Sequence, residues 1–337
     1  MNRRDFLKTV SVASTAAAAA CTYDPKVPVE HIYPYVNQPE DVLPGTATYY
    51  STACDECASR CGMVARSKDG RVVMVEGNPD NTEQHGLCTR GHYGLMASYS
   101  PDRLDGPMRE RKAVTWEDAD KAILEAVAAA RAGGKKVAWL GRYRTGSLAK
   151  LLDQLQTGMG LSRVHWEPLG VESLVAASRA VFGKDALPFY ELGGARTILS
   201  FGMDFLGTAH GSQQMRKGWS KAKNPRDGGF VTRLVCVEPR VSATSSQADL
   251  WLAPTPGTEV QVALAVAKLA AEKKGYIGPA AALLSSVDVA GAAAASGLTE
   301  ARLGEIAGWL ADGLAVALPG GHANQGKDST ALAVATL

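Results

Sequence analysis

The 337-residue chain has no run of eighteen or more apolar residues, so no ordinary membrane-spanning helix is expected from it. It also has little net charge: 36 Lys and Arg against 34 Asp and Glu leave +2. A chain so nearly neutral carries neither the basic footprint of a nucleic-acid binder nor a polybasic membrane patch. Internal repeats and long low-complexity tracts are absent, which argues against solenoids and arrays. Cysteine is scarce, six in all, and four of the six fall within the 35 residues from Cys54 to Cys88. The remainder is ordinary globular material, 46% hydrophobic and 21% charged, long enough for two or three cores rather than one.

The first residues stand apart. Asn2-Arg3-Arg4-Asp5-Phe6-Leu7-Lys8 places paired arginines before an apolar Phe-Leu step, and a weakly hydrophobic run then ends in small residues at Ala20. Charged start, short apolar middle and small-residue end describe a secretory signal over residues 1–21. The adjacent arginines with Phe-Leu-Lys resemble the twin-arginine export signal, a route for folded proteins and hence for cofactors inserted before export. An alanine-rich amphipathic helix is the plainer reading. Ala18-Ala19-Ala20-Cys21 resembles a lipoprotein processing site, in which Cys21 becomes a lipid anchor. Cleavage near Ala20, with Cys21 a bystander, is the equal alternative. Together these features place the protein on the periplasmic or exoplasmic side of the membrane.

Residues 22–45 are dense in proline, which removes backbone donors and favours an extended arm. Residues 46–107 form a cysteine-bearing module. Within it, Gly62-Met63-Val64-Ala65-Arg66 and Arg71-Val72-Val73-Met74-Val75-Glu76-Gly77 flank Asp69-Gly70, a strong hairpin signal. From 108 to 337 short apolar strands alternate with helices. Strands are expected at 137–141, 164–166, 197–201, 234–237 and 314–318. Helices are expected from the capping box at Thr115-Trp116-Glu117-Asp118, through Leu148, Leu151, Leu152 and Leu155, and at 172–182, 258–273 and 299–311. The fold class read from this is α/β: a small β-rich module followed by doubly wound, parallel-sheet (Rossmann-like) domains.

The cysteines run Cys54-x-x-Cys57-x-x-x-Cys61, then, after 26 residues, Cys88. Three thiolates within eight residues wrap one loop around three corners of an iron–sulfur cube, and the hairpin returns Cys88 to the fourth. A [4Fe–4S] cluster held by Cys54, Cys57, Cys61 and Cys88 is therefore the favoured reading. Zinc more often takes its ligands as two pairs from two knuckles, although His85 is a nearby nitrogen. Two disulfides are the remaining alternative in an exported protein. Cys236, inside an apolar strand, reads as a packing residue.

The Cys-x-x-Cys-x-x-x-Cys loop, the hairpin ending in Glu76-Gly77-Asn78-Pro79-Asp80, Leu87-Cys88-Thr89-Arg90-Gly91 and Pro101-Asp102-Arg103-Leu104 together resemble the [4Fe–4S] module that opens the molybdopterin oxidoreductases. That resemblance implies an oxidoreductase with a molybdenum bis-molybdopterin guanine dinucleotide cofactor. It makes Arg90 the basic residue between cluster and pterin. It also gives a nucleotide-side set: Gly202 and Asp204 after a strand, Glu238 in Val237-Glu238-Pro239-Arg240, and Gly257 and Glu259 in Pro256-Gly257-Thr258-Glu259. Glycine there admits close backbone approach, the acids accept from ribose or guanine, and Gly257-Thr258 opens a helix N-terminus able to hold phosphate.

The resemblance has departures. The stretch His165-Trp166-Glu167-Pro168-Leu169-Gly170-Val171-Glu172-Ser173, where the family's metal ligand is expected, holds no cysteine; Glu172 and Ser173 are oxygen-bearing residues that no pattern singles out. The family also continues beyond a length of 337 residues, so a fragment or one part of a split protein is expected. Tyr33-Pro34-Tyr35-Val36, Pro44-Gly45-Thr46-Ala47-Thr48-Tyr49-Tyr50 and Phe182-Gly183-Lys184-Asp185-Ala186-Leu187-Pro188 resemble the large iron–sulfur subunit of alternative complex III. In that subunit the molybdopterin-like half is a molybdenum-free scaffold. This implies further iron–sulfur and membrane-anchor subunits of a respiratory complex as partners. Replacing both leading arginines (Arg3→Lys with Arg4→Lys) is expected to strand the protein in the cytoplasm; cell fractionation showing undiminished export contradicts the twin-arginine reading.

Overall fold

The computed structural model describes residues 45–81, 86–144, 146–167, 171–224, 231–321 and 325–337, together with residues 2, 4–6, 8 and 43. Arg3, Cys21, His85 and nearly all of the Pro-rich arm lie outside the described residues. Among the described residues no helix is long and apolar enough to cross a membrane.

Strand β1 (Ala47–Ala53) pairs antiparallel with β2 (Gly62–Lys68), which pairs antiparallel with β3 (Arg71–Gly77). The β2–β3 connection is the expected Asp69-Gly70 turn, with φ of +51° and +76°. Both central residues being left-handed makes a two-residue turn whose twist matches that of the strands. The expected hairpin is therefore two-thirds of a three-stranded sheet. Helix α1 (Thr89–Ser98) packs against it. A two-residue ribbon, β4 (Met108–Arg109) with β5 (Lys112–Ala113), leads into α2 (Trp116–Ala132). The expected capping box is in place there: Thr115 Oγ1 accepts from Asp118 N at 3.2 Å.

The α/β part holds two parallel sheets. In the smaller, β6 (Ala138–Gly141) pairs with β7 (Ser162–His165) across α3 (Gly146–Met159). The second strand starts two residues earlier than expected, because the ladder opens with Ser162 N donating to Val137 O at 2.8 Å. After α4 (Glu172–Phe182) the larger sheet begins. It is built from β8 (Thr197–Phe201), β9 (Arg233–Val237), β10 (Leu250–Leu252) and β11 (Ala315–Pro319), in the order β10-β9-β8-β11 and parallel throughout. Its connections include α5 (Ser212–Ala222), α6 (Glu259–Lys274), α7 (Ala281–Ser285), α8 (Val289–Ser296) and α9 (Glu300–Ala311), and α10 (Ser329–Thr336) closes the chain.

Residue-by-residue alternation covers both faces of this sheet. Leu199, Phe201, Val235 and Val237 pack with Val262, Leu303, Ile306 and Leu332 on one side. Ile198, Leu234, Cys236 and Leu318 pack with Leu192, Phe205 and Met215 on the other. Near-continuous apolar strands are what a sheet buried on both faces requires. Each of these large side chains, almost fully out of water, contributes about 1.5–3 kcal/mol by burial. Cys236 is one of the packed residues, as its place in the strand suggests.

Strand order positions the site. From β8 the chain winds outward through β9 to β10, then returns to add β11 on the far side of β8. Such a reversal opens a crevice beyond the carboxyl ends of the two diverging strands. That crevice lies beyond Phe201 and Pro319, with Gly202 in a bridge to Pro319 at the floor.

Candidate functional site

The cysteines sit where the small sheet meets the larger body. Cys54 directly follows β1 and Cys61 directly precedes β2. Cys54 N donates to Cys61 O at 2.8 Å, so the loop between them is closed by one more rung of the ladder. Cys88 is the residue before α1, with extended backbone. Cys54 and Cys61 are buried in the module's own core with Ala65, Val75 and Leu87, while Cys57 and Cys88 are half-buried. All four are free thiols, as is Cys236, so no disulfide joins the described cysteines.

Burial pushes the Cys61 thiol up to about 12, and charge on Cys57, Cys54 and Cys88 adds to the effect. Cys54 is also raised, mainly by burial and further by Cys57, Glu56 and Cys88, against an opposing backbone hydrogen bond from Glu56. The sulfurs are therefore close enough to feel one another's charge. Gathering four thiolates in a half-dry pocket is unfavourable without a cationic core to hold them. Among the described residues no three of His, Cys, Asp or Glu meet at the spacing one ion needs. A cuboidal cluster makes no such demand, since it takes one thiolate at each of four irons. The donor set among the described residues, four cysteines, fits the cluster.

Packing fixes the loop and the helix that carry them. The side chain of Leu87 occupies the space that a Cβ on Gly91 would fill, and Glu56 crosses Gly94 in the same way. Two glycines on one face thus let α1 settle on the cysteine loop. Gln213 Oε1, oriented to satisfy its neighbours, accepts from Cys88 N at 3.2 Å. Arg142 Nη1 donates to Glu56 O at 2.9 Å, and Asp55 is paired with both Arg60, at 2.6 Å, and Arg144. Arg142 and Arg144 follow β6, so the parallel-sheet region grips the cysteine loop directly. None of Arg60, Arg142 or Arg144 is marked by sequence pattern, because the loop that brings them together is set only by the fold.

The crevice at the strand reversal holds a cavity of about 280 Å³ lined by Met203, Asp204, Thr208, His210, Tyr190, Arg240, Gly320 and Gly321 among others. Arg90, in the first turn of α1, reaches it from the cysteine side, with Nη2 3.5 Å from Thr208 O. Gly202 has φ of +72°, and a side chain on Gly321 would meet its carbonyl. Only glycine lets the backbones of the two strand ends come this close. Asp204 lines the cavity, but its carboxylate is engaged: Oδ1 accepts from Thr244 N at 3.1 Å and Thr244 Oγ1 at 2.9 Å, and Oδ2 from Thr208 N at 3.2 Å.

The remaining expected residues lie elsewhere. Glu238 is buried and accepts from Ser242 N at 3.2 Å. Gly257 and Glu259 line a separate cavity of about 220 Å³ between the starts of α6 and α10, where Glu259 Oε2 accepts from Gly257 N at 2.8 Å. The two cavities thus divide the nucleotide-side set. In the stretch expected to supply a metal ligand, Glu172 accepts from Glu167 N and Ser173 is buried.

His210 and Tyr190 carry no sequence signal, yet both line this cavity and a second, of about 180 Å³, that touches Ala58 and Ser59 of the cysteine loop. Both ring nitrogens of His210 and the hydroxyl of Tyr190 are buried without a hydrogen-bond partner. Burial holds the His210 imidazole below its ordinary pKa, with Arg90 acting in the same direction and Glu167 and Glu172 opposing.

Comparison with known proteins matches residues 47–100 to the molybdopterin oxidoreductase Fe4S4 domain and residues 103–291 to the molybdopterin oxidoreductase domain. A sulfite dehydrogenase subunit of Allochromatium vinosum is 29% identical over 243 residues, covering 68% of this chain and 24% of that protein. The menaquinone reductase, molybdopterin-binding-like subunit, of Nitratidesulfovibrio vulgaris is 26% identical over 233 residues, 67% of this chain and 33% of that one. The chain therefore spans about a quarter to a third of the length of these curated relatives. Among solved structures, acetylene hydratase from Pelobacter acetylenicus shares the fold with a TM-score of 0.67 at 14% identity, over 85% of this chain and 42% of that one.

An imidazole whose pKa is lowered by burial has a consequence for stability. The unfolded chain takes up a proton at His210 near the ordinary value and the folded chain only at lower pH, so stability falls as pH drops below about 6.5. Urea unfolding of His210→Gln between about pH 7 and about pH 5 is expected to show a flatter pH dependence than the unsubstituted protein; an unchanged slope contradicts the lowered pKa.

Proposed function

Because the chain belongs to the molybdopterin oxidoreductase family, we propose that it is the cluster-bearing part of an exported oxidoreductase subunit, relaying electrons through one [4Fe–4S] cluster bound by Cys54, Cys57, Cys61 and Cys88. The observation that carries this reading is the convergence of four free, mutually interacting thiols in a module matched to that family's Fe4S4 domain. When bound, the cluster supplies one-electron transfer. The chain's residues do the rest. The thiols give up their protons to become ligands, and the small core around Cys54 and Cys61 keeps water from two corners. Arg90 links the start of α1 to the cavity wall at Thr208, a position suited to the route between cluster and pterin.

The matched domains are those of a 4Fe–4S cluster and of the molybdopterin cofactor. For the cofactor, the glycine-floored crevice at Gly202, Gly320 and Gly321 is the place that admits it, with Arg240 as the cation for a phosphate. Gly257 and Glu259, at the second cavity, and Glu238 are its further proposed contacts. In domain terms the reading is a signal over 1–21, an arm over 22–45, the cluster module over 46–107 and the cofactor-binding region over 108–337.

A second reading, a molybdenum-free scaffold that retains the cluster, is favoured by two observations. Residues 165–173 hold no cysteine, and the carboxylates of Asp204 and Glu259 are already occupied by local donors. The resemblance to the menaquinone reductase, molybdopterin-binding-like subunit, supports it. Partners under this reading are further iron–sulfur and membrane-anchor subunits of a respiratory complex, on the periplasmic side, with Cys21 as a lipid anchor. Under either reading Cys57→Ser removes the thiolate from one corner. Iron per chain is expected to fall from about four, and the visible charge-transfer absorption to weaken; full iron in this variant refutes the ligand set.

A further inference from the structure

Arg60 immediately precedes Cys61 in the loop that carries three of the four thiols. Its φ is +50°, a left-handed conformation that strains any residue with a side chain and suits glycine. Backbone geometry therefore does not account for an arginine here. One guanidinium nitrogen, Nη1, pairs with Asp55 at 2.6 Å. The same carboxylate also takes Arg144, so two cations share one anion beside the cysteine loop. Arg142 adds a third guanidinium at Glu56 O, so the three arginines outweigh the Asp55 and Glu56 carboxylates. The other terminal nitrogen of Arg60, Nη2, is buried and has no acceptor. A buried donor in that state is unfavourable until an acceptor is supplied.

We propose that Nη2 of Arg60 donates to a sulfur of the bound cluster and, backed by Arg144, raises the cluster's reduction potential. The inference rests on the cluster reading above. Reduction brings one electron from an external donor, which is oxidised by one electron in turn. No bond forms or breaks, and the cluster gains one unit of negative charge. A fixed cation and a hydrogen bond to sulfur stabilise the more negative, reduced form over the oxidised one. Arg60 is thus a positioning and tuning residue. It differs from Arg90, whose guanidinium points to the cavity wall at Thr208.

The test is a redox titration of the whole chain purified anaerobically with its cluster, followed by electron paramagnetic resonance and accompanied by an iron count. Arg60→Gly is the variant of choice because glycine accepts the left-handed backbone without strain. Iron content is expected to be unchanged, the spectrum of the reduced cluster altered, and the reduced form disfavoured about tenfold, a fall of about 59 mV for a one-electron couple. An unchanged potential at full iron content overturns the proposal. Should Arg60→Gly lose iron, Arg60→Lys carries the same titration. It keeps the charge without the fork, so a smaller fall is expected and an unchanged potential overturns the proposal. Unsubstituted protein without iron overturns the cluster reading, and this inference with it.

Discussion

The cost of ionising cysteines gathered in one partly buried pocket is the constraint around which this molecule is organised. Two of the sulfurs, Cys54 and Cys61, lie in an apolar core, where burial first and the charge of neighbouring cysteines second make them costly to ionise. The protein nevertheless brings the four cysteines together from a loop and a helix start separated by a complete β-hairpin. The apparatus is substantial: an extra ladder rung between Cys54 and Cys61, two glycines that let α1 settle, and arginines from beyond β6 that clasp the loop. Such an arrangement makes physical sense when a cationic iron–sulfur core supplies the compensating attraction.

The larger sheet answers a different demand. Its strands are buried on both faces, so its position is fixed by the hydrophobic effect, and its reversal of strand order leaves a crevice aimed back at the cysteine module. Arg90, His210 and the small cavity beside Ser59 occupy the space between the two. The crevice and the cysteine loop thus face one another across Arg90 and the cavity wall at Thr208. The acidic side chains expected to greet a nucleotide, Asp204 at the crevice and Glu238 and Glu259 away from it, already accept from their own loops, which is why a scaffold reading stands beside the enzymatic one.

Much of this was legible in the sequence, for reasons that are local. The cysteine spacing, the Asp69-Gly70 turn and the Thr115 cap are short-range signals, and the apolar runs at β8 and β9 reflect burial on both sides. What escaped was set by partners distant in sequence. Strand β1 is polar and largely exposed, held by pairing with β2 rather than by an apolar face. Helix α5 has a stripe of Met215, Trp219 and Ala222, too thin among its polar residues to stand out. Three-residue β10 exists because β9 offers it an edge. The residues around the cysteine loop, Arg60, Arg142 and Arg144, and the buried pair His210 and Tyr190 acquire meaning only once folding has brought them together.

Elemental analysis of anaerobically purified protein, with iron and molybdenum counted per chain and zinc alongside, is the deciding measurement. About four irons per chain are predicted, with little zinc. A protein that arrives with zinc in place of iron, or with no metal and its cysteines oxidised to disulfides, contradicts the central claim.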